Sequence, residues 1–216
     1  LCGVSKANSS VDYAMLEYCI REDLKLKKAR TMAVLNPVKL VIDNYPEDQI
    51  EMLEVQNNLE NPELGSRQVP FGRELYIERE DFMEEPVRKY FVTCTGCEKD
   101  ENGNITVIHG TYDPESKGGN SPDGRKVKGT IHWVAAKTAV KAECRLYENL
   151  IDEEKGVYNE DGSMNLNPNS LTVVEHAYLE PGFEGAKAFD SFQFVRNGFF
   201  CVDYKDSTPE KLVFNR

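Results

Sequence analysis

The amino-acid sequence predicts an all-β fold made of two β-barrels, preceded by a short helical segment. From about residue 30 onward, apolar residues follow the period of strands, and about a dozen short strand candidates result. Turn-forming residues separate these candidates at short intervals, which favours a barrel or sandwich architecture. Because one small barrel uses roughly six to eight strands, this number favours two barrels over one.

The segment before residue 30 has the pattern of a single amphipathic helix. Ser9 and Asp12 match a capping box, whose hydroxyl and carboxylate would satisfy free amide groups at the start of the helix. Lysines in the range 25–28 would complement the carboxyl end of the helix dipole. The apolar face would contain Val11, Met15, Tyr18 and Cys19.

Composition and charge exclude some classes of protein. Hydrophobic residues make up 40% and charged residues 29% of the chain, as in ordinary folded soluble proteins. No apolar run approaches the roughly 20 residues of a membrane span. The net charge of -11 by itself argues against nucleic acid, although a basic face can lie on an acidic body. The start at Leu1, without Met or a signal pattern, suggests a piece of a longer cytoplasmic protein with reduced cysteines.

Cys94 and Cys97 have the CxxC spacing of zinc and redox sites. Structural zinc needs four ligands, and the sequence has no second CxxC and no nearby histidine. In an extended strand, positions i and i+3 point to opposite faces, which prevents chelation. Redox use would favour a helix start, whereas this pair lies among strand formers. We therefore predict ordinary thiols and no metal site, with zinc or redox use as the less favoured alternative.

The chain carries no recognisable catalytic or nucleotide motif. Neither GxGxxG nor GxxxxGK[ST] occurs, and His109, His132 and His176 lie in strand patterns away from any nucleophile signature. We therefore predict no catalytic residue and no cofactor in this chain.

Gln193 and Arg196 lie in a strand pattern rich in phenylalanine, at 192–200. An amide and a guanidinium can bind base edges, and aromatic rings can cover base faces. The pattern alone fits a base pocket or an ordinary exposed strand face.

Several segments resemble, in order, the C-terminal part of the glutaminyl-tRNA synthetase family. These are YCIREDL at 18–24, ARTMAV at 29–34, PVKLVI at 37–42, GSRQVPF at 65–71, GRKVKGTIHWV at 124–134, FFCVD at 199–203 and STPEKLVFNR at 207–216. The resemblance implies two barrels of the ribosomal-protein-L25-like type, with exchanged strands, that bind the anticodon loop of tRNA-Gln. It implies a helical segment at 1–29, a first barrel at 30–130 and a second at 131–216.

The resemblance also assigns roles to individual residues. The three that match the family's readers of the central uracil are Arg30, Gln193 and Arg196. Lys89 matches a polar residue near the third anticodon base, and Lys6, Ala7 and Asn8 match residues that touch the tRNA near the anticodon stem. Arginine and glutamine together can satisfy the carbonyl acceptors and the single N–H of uracil.

This sequence departs from the family at two places. The catalytic domain, which uses ATP with Mg, would precede Leu1, so we expect this chain alone to be unable to charge tRNA. We expect the whole protein to be a monomer. Within it, the catalytic domain would pack against this region. The family also has a basic strand-turn-strand after the stretch matching 89–91, with arginines for the first and third anticodon bases. It is either deleted here or left out of the sequence, and we favour the second because losing a barrel strand exposes two sheet edges.

Two other readings stay open. Glutamyl-tRNA synthetases of the eukaryotic and archaeal type share these barrels, although FQF at 192–194 and VFNR at 213–216 look more like the glutamine family. A β-barrel interaction module without an RNA role would fit the acidic charge.

Overall fold

The computed structural model describes residues 12–82, 92–114, 131–152 and 154–216. The predicted helix is present as α1, Tyr13–Leu24. Its cap is Asp12, whose carboxylate accepts a hydrogen bond from the Ala14 amide at 2.8 Å. The helix thus begins after Asp12, where the capping-box interpretation had placed the cap at Ser9, a residue outside the described ranges. No residue of α1 is buried.

The all-β prediction is confirmed for the part of the chain that the structure describes. Strands dominate, and three short 3-10 helices lie wholly within the described ranges, at Pro62–Leu64, Arg79–Asp81 and Ala136–Thr138. The strands are β1 Arg30–Thr31, β2 Ala33–Val34, β3 Pro37–Ile42, β4 Ile50–Gln56, β5 Ser66–Gly72, β6 Glu74–Glu78, β7 Val92–Lys99, β8 Ile105–Tyr112, β9 Val134–Ala135, β10 Val140–Tyr147, β11 Leu171–Leu179, β12 Ser191–Phe194, β13 Gly198–Val202 and β14 Leu212–Asn215.

The strands form three sheets, none of which closes into a barrel within the described residues. The seven-stranded sheet has the order β1-β12-β13-β14-β10-β11-β2. The five-stranded sheet has the order β7-β8-β3-β6-β9, and β4 and β5 form a separate hairpin. The pairing exchanges strands between the two halves of the chain: β1 and β2 join the sheet of the C-terminal half, and β9 joins β6. This exchange positions residue 30 beside a strand more than 160 residues later in the sequence.

The seven-stranded sheet has an aromatic core. Phe194 is fully buried and packs against Phe200 and Phe214, with ring centroids 4.4 and 5.3 Å apart. Phe183 covers the same group from the loop before β12, 6.1 Å from Phe194. The sequence places these large rings next to Gln193 and Arg196, so a fully buried aromatic cluster lies directly beside the predicted base pocket.

The strand β7 contains a bulge that overturns one argument made from the sequence. Cys94 pairs with Gly110, Gly96 pairs with His109 and Cys97 pairs with Ile108, so Thr95 is an extra residue. Because Gly110 and Ile108 are two positions apart on β8, their partners Cys94 and Cys97 lie on the same face. The expectation that this spacing separates the two thiols onto opposite faces was wrong.

No helix among the described residues is long and apolar enough to cross a membrane.

Candidate nucleic-acid interface

Arg30 and Gln193 lie directly beside each other on two parallel strands. β1 pairs with β12 in the register Arg30–Gln193 and Thr31–Phe194. The Val195 amide donates to the Thr31 carbonyl at 2.9 Å, which continues the pairing past the end of β12. Paired residues on neighbouring strands point to the same face, so the structure brings together two of the predicted base-reading side chains.

Each side chain of this pair contains a buried polar atom that has no hydrogen-bond partner among the described residues. In Arg30 this atom is the donor Nε, and in Gln193 it is the acceptor Oε1. An unpaired buried donor or acceptor costs about 1–3 kcal/mol, and native proteins contain few of them. A donor and an acceptor left unpaired on adjacent residues fit a position for a polar ligand that presents both an acceptor and a donor.

Arg196 lies in the tight turn between β12 and β13. The Asn197 amide donates to the Phe194 carbonyl at 3.0 Å, which closes a four-residue turn. Arg196 occupies the third position of this turn with φ of 67°, the left-handed backbone conformation that glycine and asparagine usually supply. An arginine there costs about 1–2 kcal/mol relative to the right-handed region. Strain of this kind persists where the surrounding structure holds it and concentrates at functional sites.

Two carboxylates from the end of β6 and the following 3-10 helix hold this turn. Asp81 accepts hydrogen bonds from Nη1 of Arg196 at 2.7 and 2.6 Å, and its side chain is only 10% exposed. Glu78 accepts a hydrogen bond from the side-chain amide of the neighbouring Asn197 at 3.2 Å. The same Asn197 amide also donates to the Ala33 carbonyl on β2 at 3.0 Å. The strained turn is therefore fixed by groups from β6, from the 3-10 helix that follows it and from β2.

Glu78 connects several elements around the site. Its carboxylate accepts from the Leu35 and Asn36 amides at 2.9 and 2.8 Å, and His132 Nε2 lies 3.5 Å away. Burial alone would raise the pKa of Glu78, but the bonds from His132, Leu35, Asn36 and Asn197 outweigh it, and the pKa is lowered below its ordinary value. Glu78 is thus an ionised, buried junction between β6, the β2–β3 connection and the Arg196 turn.

A third carboxylate faces the other arginine. Nη2 of Arg30 binds the Glu60 carboxylate, and the Glu60 amide donates to the side chain of Asn58 at 2.9 Å. Asn58 is fully buried and donates to the Lys25 carbonyl at 2.7 Å, so the loop after β4 is tied to the end of α1. Both arginines of the candidate site therefore have a carboxylate partner, Glu60 from the loop after β4 and Asp81 from the 3-10 helix after β6.

The structure places three of the seven predicted site residues. Arg30 and Gln193 are adjacent, and Arg196 follows Gln193 by three positions, in the turn after β12. Lys6, Ala7, Asn8 and Lys89 lie outside the described residues. The supporting carboxylates Glu60, Glu78 and Asp81 were missed, because the sequence gives acidic residues no pattern that separates site members from solvent-facing ones. No group of three or more metal-ligating side chains is placed to hold a metal within the described ranges.

Two protein-family models match this chain. Residues 29–113 match a model described as tRNA synthetases class I (E and Q), anti-codon binding domain. Residues 130–203 match a second model with the same description. Together these matches cover more than half of the sequence and include Arg30, Gln193 and Arg196. The chain belongs to the anticodon-binding domain family of class I tRNA synthetases for glutamate and glutamine.

Curated relatives agree with this assignment and are named for glutamine. The chain is similar to the glutamine–tRNA ligase of Clostridioides difficile, with 53% identity over 99% of this chain and 42% of the relative. It is also similar to those of Clostridium kluyveri and Aliivibrio salmonicida, with 48% and 47% identity over 99% of this chain and 41% of each relative. The chain thus spans about two fifths of the length of these relatives. The alignment to the Clostridioides difficile ligase covers 233 positions, so that relative has residues without a counterpart among the 216 here.

Proposed function

We propose that this chain is the anticodon-binding region of a glutaminyl-tRNA synthetase and that it binds the anticodon loop of tRNA-Gln. In the whole protein, a cytoplasmic monomer, a separate catalytic domain would use ATP with Mg to attach glutamine to that tRNA. The chain alone would hold no cofactor and carry out no ligation. The described relatives support glutamine over glutamate, since each is named a glutamine–tRNA ligase.

One observation carries the proposal for the central base: the unpaired Nε of Arg30 beside the unpaired Oε1 of Gln193. The Watson–Crick edge of uracil presents two carbonyl acceptors and one N–H donor. Arg30 Nε can donate to a carbonyl oxygen, while Gln193 Oε1 can accept from the N–H. Binding of this edge would satisfy both buried atoms at once, whereas cytosine would offer a donor where uracil offers an acceptor.

Arg196 would complete the pocket from the turn that follows β12. Its side chain is half exposed, and Asp81 fixes the position of Nη1. A residue whose backbone and side chain are both held in place loses little conformational entropy when a base binds. More of the free energy of its contact therefore contributes to affinity. This preorganisation gives the strained φ of Arg196 a role in recognition.

The carboxylates beside the arginines favour a neutral base over a phosphate. Glu60 and Asp81 already compensate the charges of Arg30 and Arg196, so a phosphate at either arginine would lie near a carboxylate that repels it. Base contacts carry sequence information, while phosphate contacts mainly set position. We propose that Arg30, Gln193 and Arg196 discriminate the base and that affinity for the backbone comes from elsewhere. Lys6, Ala7 and Asn8 near the anticodon stem, and Lys89 near the third base, are the candidates that the resemblance implies.

The division of the chain follows the same proposal. Residues 1–29 would connect to the catalytic domain, and 30–130 and 131–216 would form the two anticodon-binding units with exchanged strands. The pairing of β1 with β12 supports this arrangement, because it brings Arg30 of the first unit to Gln193 of the second.

The test is a binding series with a tRNA-Gln transcript and a variant changed only at the central anticodon base. Arg30→Ala, Gln193→Ala and Arg196→Ala should each lose about 1–3 kcal/mol of binding to tRNA-Gln and lose most of the discrimination between the two RNAs. Gln56→Ala, an exposed amide on β4, and Lys155→Ala, an exposed cation, serve as matched controls and should change neither. Equal losses for both RNAs, or no loss, would show that the base is read at another place.

A further inference from the structure

Cys94 and Cys97 form a pair of thiols on one face of β7, the end strand of the five-stranded sheet among the described residues. The bulge at Thr95 lets three residues of β7 advance only two positions along β8, from Gly110 to Ile108. Two positions of an antiparallel strand span about 6.8 Å, so the two Cα atoms lie about 7 Å apart. Disulfides join Cα atoms separated by about 4.4–6.8 Å, so a small contraction of the strand brings the pair into range.

The surroundings of the pair permit both access and contraction. Cys94 is exposed and Cys97 is half-buried, and both are free thiols. Among the described residues, β7 has only β8 as a strand partner and lies at the end of the five-stranded sheet. Gly110, opposite Cys94, contributes no side chain to cover it. An edge strand that already contains an unpaired residue can shift with few hydrogen bonds broken.

The pair is separate from the other polar cluster on this sheet. His109 lies opposite Gly96 and accepts or donates through both ring nitrogens, with Asp43 and Glu98 each 3.0 Å away. The two thiols pair with residues 110 and 108 of β8, whereas His109 and the partner of Glu98 are residues 109 and 107. Successive residues of a strand point to opposite faces, so the histidine cluster lies on the face opposite the thiols. The thiols and the histidine cluster therefore do not share ligands.

We propose that Cys94 and Cys97 are a dithiol modification site that a low-molecular-weight disulfide oxidises to an intrastrand disulfide. The thiolate of Cys94 attacks one sulfur of the small disulfide and releases one small thiol, forming a mixed disulfide. The thiolate of Cys97 then attacks the Cys94 sulfur, forms the Cys94–Cys97 bond and releases the second small thiol. The protein loses two hydrogens and two electrons, and one small disulfide becomes two small thiols. The bond across the bulge is reducible by excess small thiol, so the site responds to the redox state of its surroundings.

The experiment incubates the chain with glutathione disulfide at increasing ratios to glutathione, followed by acid quenching and mass spectrometry of the intact protein. The wild type should lose two hydrogens without retaining glutathione, and its titratable thiols in denaturant should fall from six to four. Peptide mapping should join residues 94 and 97. Cys97→Ser should instead accumulate glutathione on Cys94, because it lacks the second thiol. Cys201→Ser, half-buried on β13, is the matched control and should still lose two hydrogens.

Three outcomes would overturn the proposal: stable glutathione on wild-type Cys94, a disulfide that joins two chains, or six thiols remaining at every ratio. Far-ultraviolet circular dichroism of each variant verifies that the fold is kept. The Cys94→Ser variant provides a second test: the half-buried Cys97 is then the one thiol left of the pair, and its oxidation should be slower than that of the wild-type pair.

Discussion

Asp81 binds Arg196 with both carboxylate oxygens on a single guanidinium nitrogen, at 2.7 and 2.6 Å. The two residues are 115 positions apart in the sequence: Asp81 ends the 3-10 helix that follows β6, and Arg196 lies in the turn between β12 and β13. The Asp81 side chain is nearly buried, whereas the Arg196 side chain is half exposed. Asp81 therefore holds the guanidinium from the protein side, and the exposed part of the Arg196 side chain faces solvent. This geometry makes Asp81 a positioning residue for the arginine that we propose to read the central anticodon base.

Asp81→Asn should therefore weaken discrimination at the central base in the same direction as Arg196→Ala, but less. Asparagine keeps the shape and loses the charge that orients Nη1, so a loss of about 1 kcal/mol is expected. The measurement is the binding series with the two RNAs. The double variant should be no worse than Arg196→Ala alone, because both changes remove the same contact. Additive losses would mean that Asp81 acts on the RNA by another route.

Glu78→Gln should destabilise the fold by about 1–3 kcal/mol, since glutamine turns one acceptor oxygen of a buried hydrogen-bonded group into a donor. Urea unfolding followed by circular dichroism measures this loss. Glu74→Gln is the control, because the Glu74 carboxylate is half exposed and pairs with Lys39 on the neighbouring strand. The lowered pKa of Glu78 adds a pH test: its contribution to stability is complete above about pH 4.5 and is lost as the pH falls through the lowered value. The variant should lack this part of the acid dependence.

The contrast between Gln193 and Asp81 shows how far the sequence alone could lead. Gln193 and Arg30 were predicted as site residues because each lies in a segment that resembles a known family, and the alternating pattern around Gln193 correctly predicted a strand. Asp81 and Glu78 lie in an ordinary acidic run, and their role depends on a turn more than a hundred positions later. Local patterns carry no information about such distant contacts, so these residues could be found only from the structure.

The bulge in β7 was unpredictable for a different reason. Strand periodicity assumes that each residue changes face, and one extra residue reverses that assignment for everything beyond it. Thr95 and Gly96 do not form a turn signal, and a glycine inside a strand pattern is compatible with a bulge but does not identify the extra residue. The prediction of the all-β class rests on many strands, so one missed bulge does not change it. The predicted relation between Cys94 and Cys97 depends on a single residue, and the missed bulge made it wrong.

His109 should make stability depend on pH near neutrality. Its hydrogen bond to Asp43 contributes most and that to Glu98 next, and together they raise its pKa above the ordinary value of 6.5. A raised pKa in the folded state means that the stabilisation is complete below about pH 6.5 and disappears as the pH rises through the raised value. His109→Gln should flatten the difference in unfolding free energy between about pH 6 and pH 9. His176→Gln, at an exposed position of β11, is the control and should leave the wild-type dependence in place.

The contrast between base and backbone contacts leads to a test that uses salt. Lys6 is expected to contact the tRNA backbone, so Lys6→Ala should weaken binding to all tRNAs similarly and reduce the slope of log affinity against log salt by about 0.7–0.9. Arg196→Ala should change this slope less, because Asp81 already compensates the charge of Arg196 and few counterions are released there. Titrations at several salt concentrations between about 50 and 200 mM measure both slopes. A larger change of slope for Arg196→Ala than for Lys6→Ala would mean that Arg196 contacts a phosphate, and the pocket for the central base would then lack its third side chain.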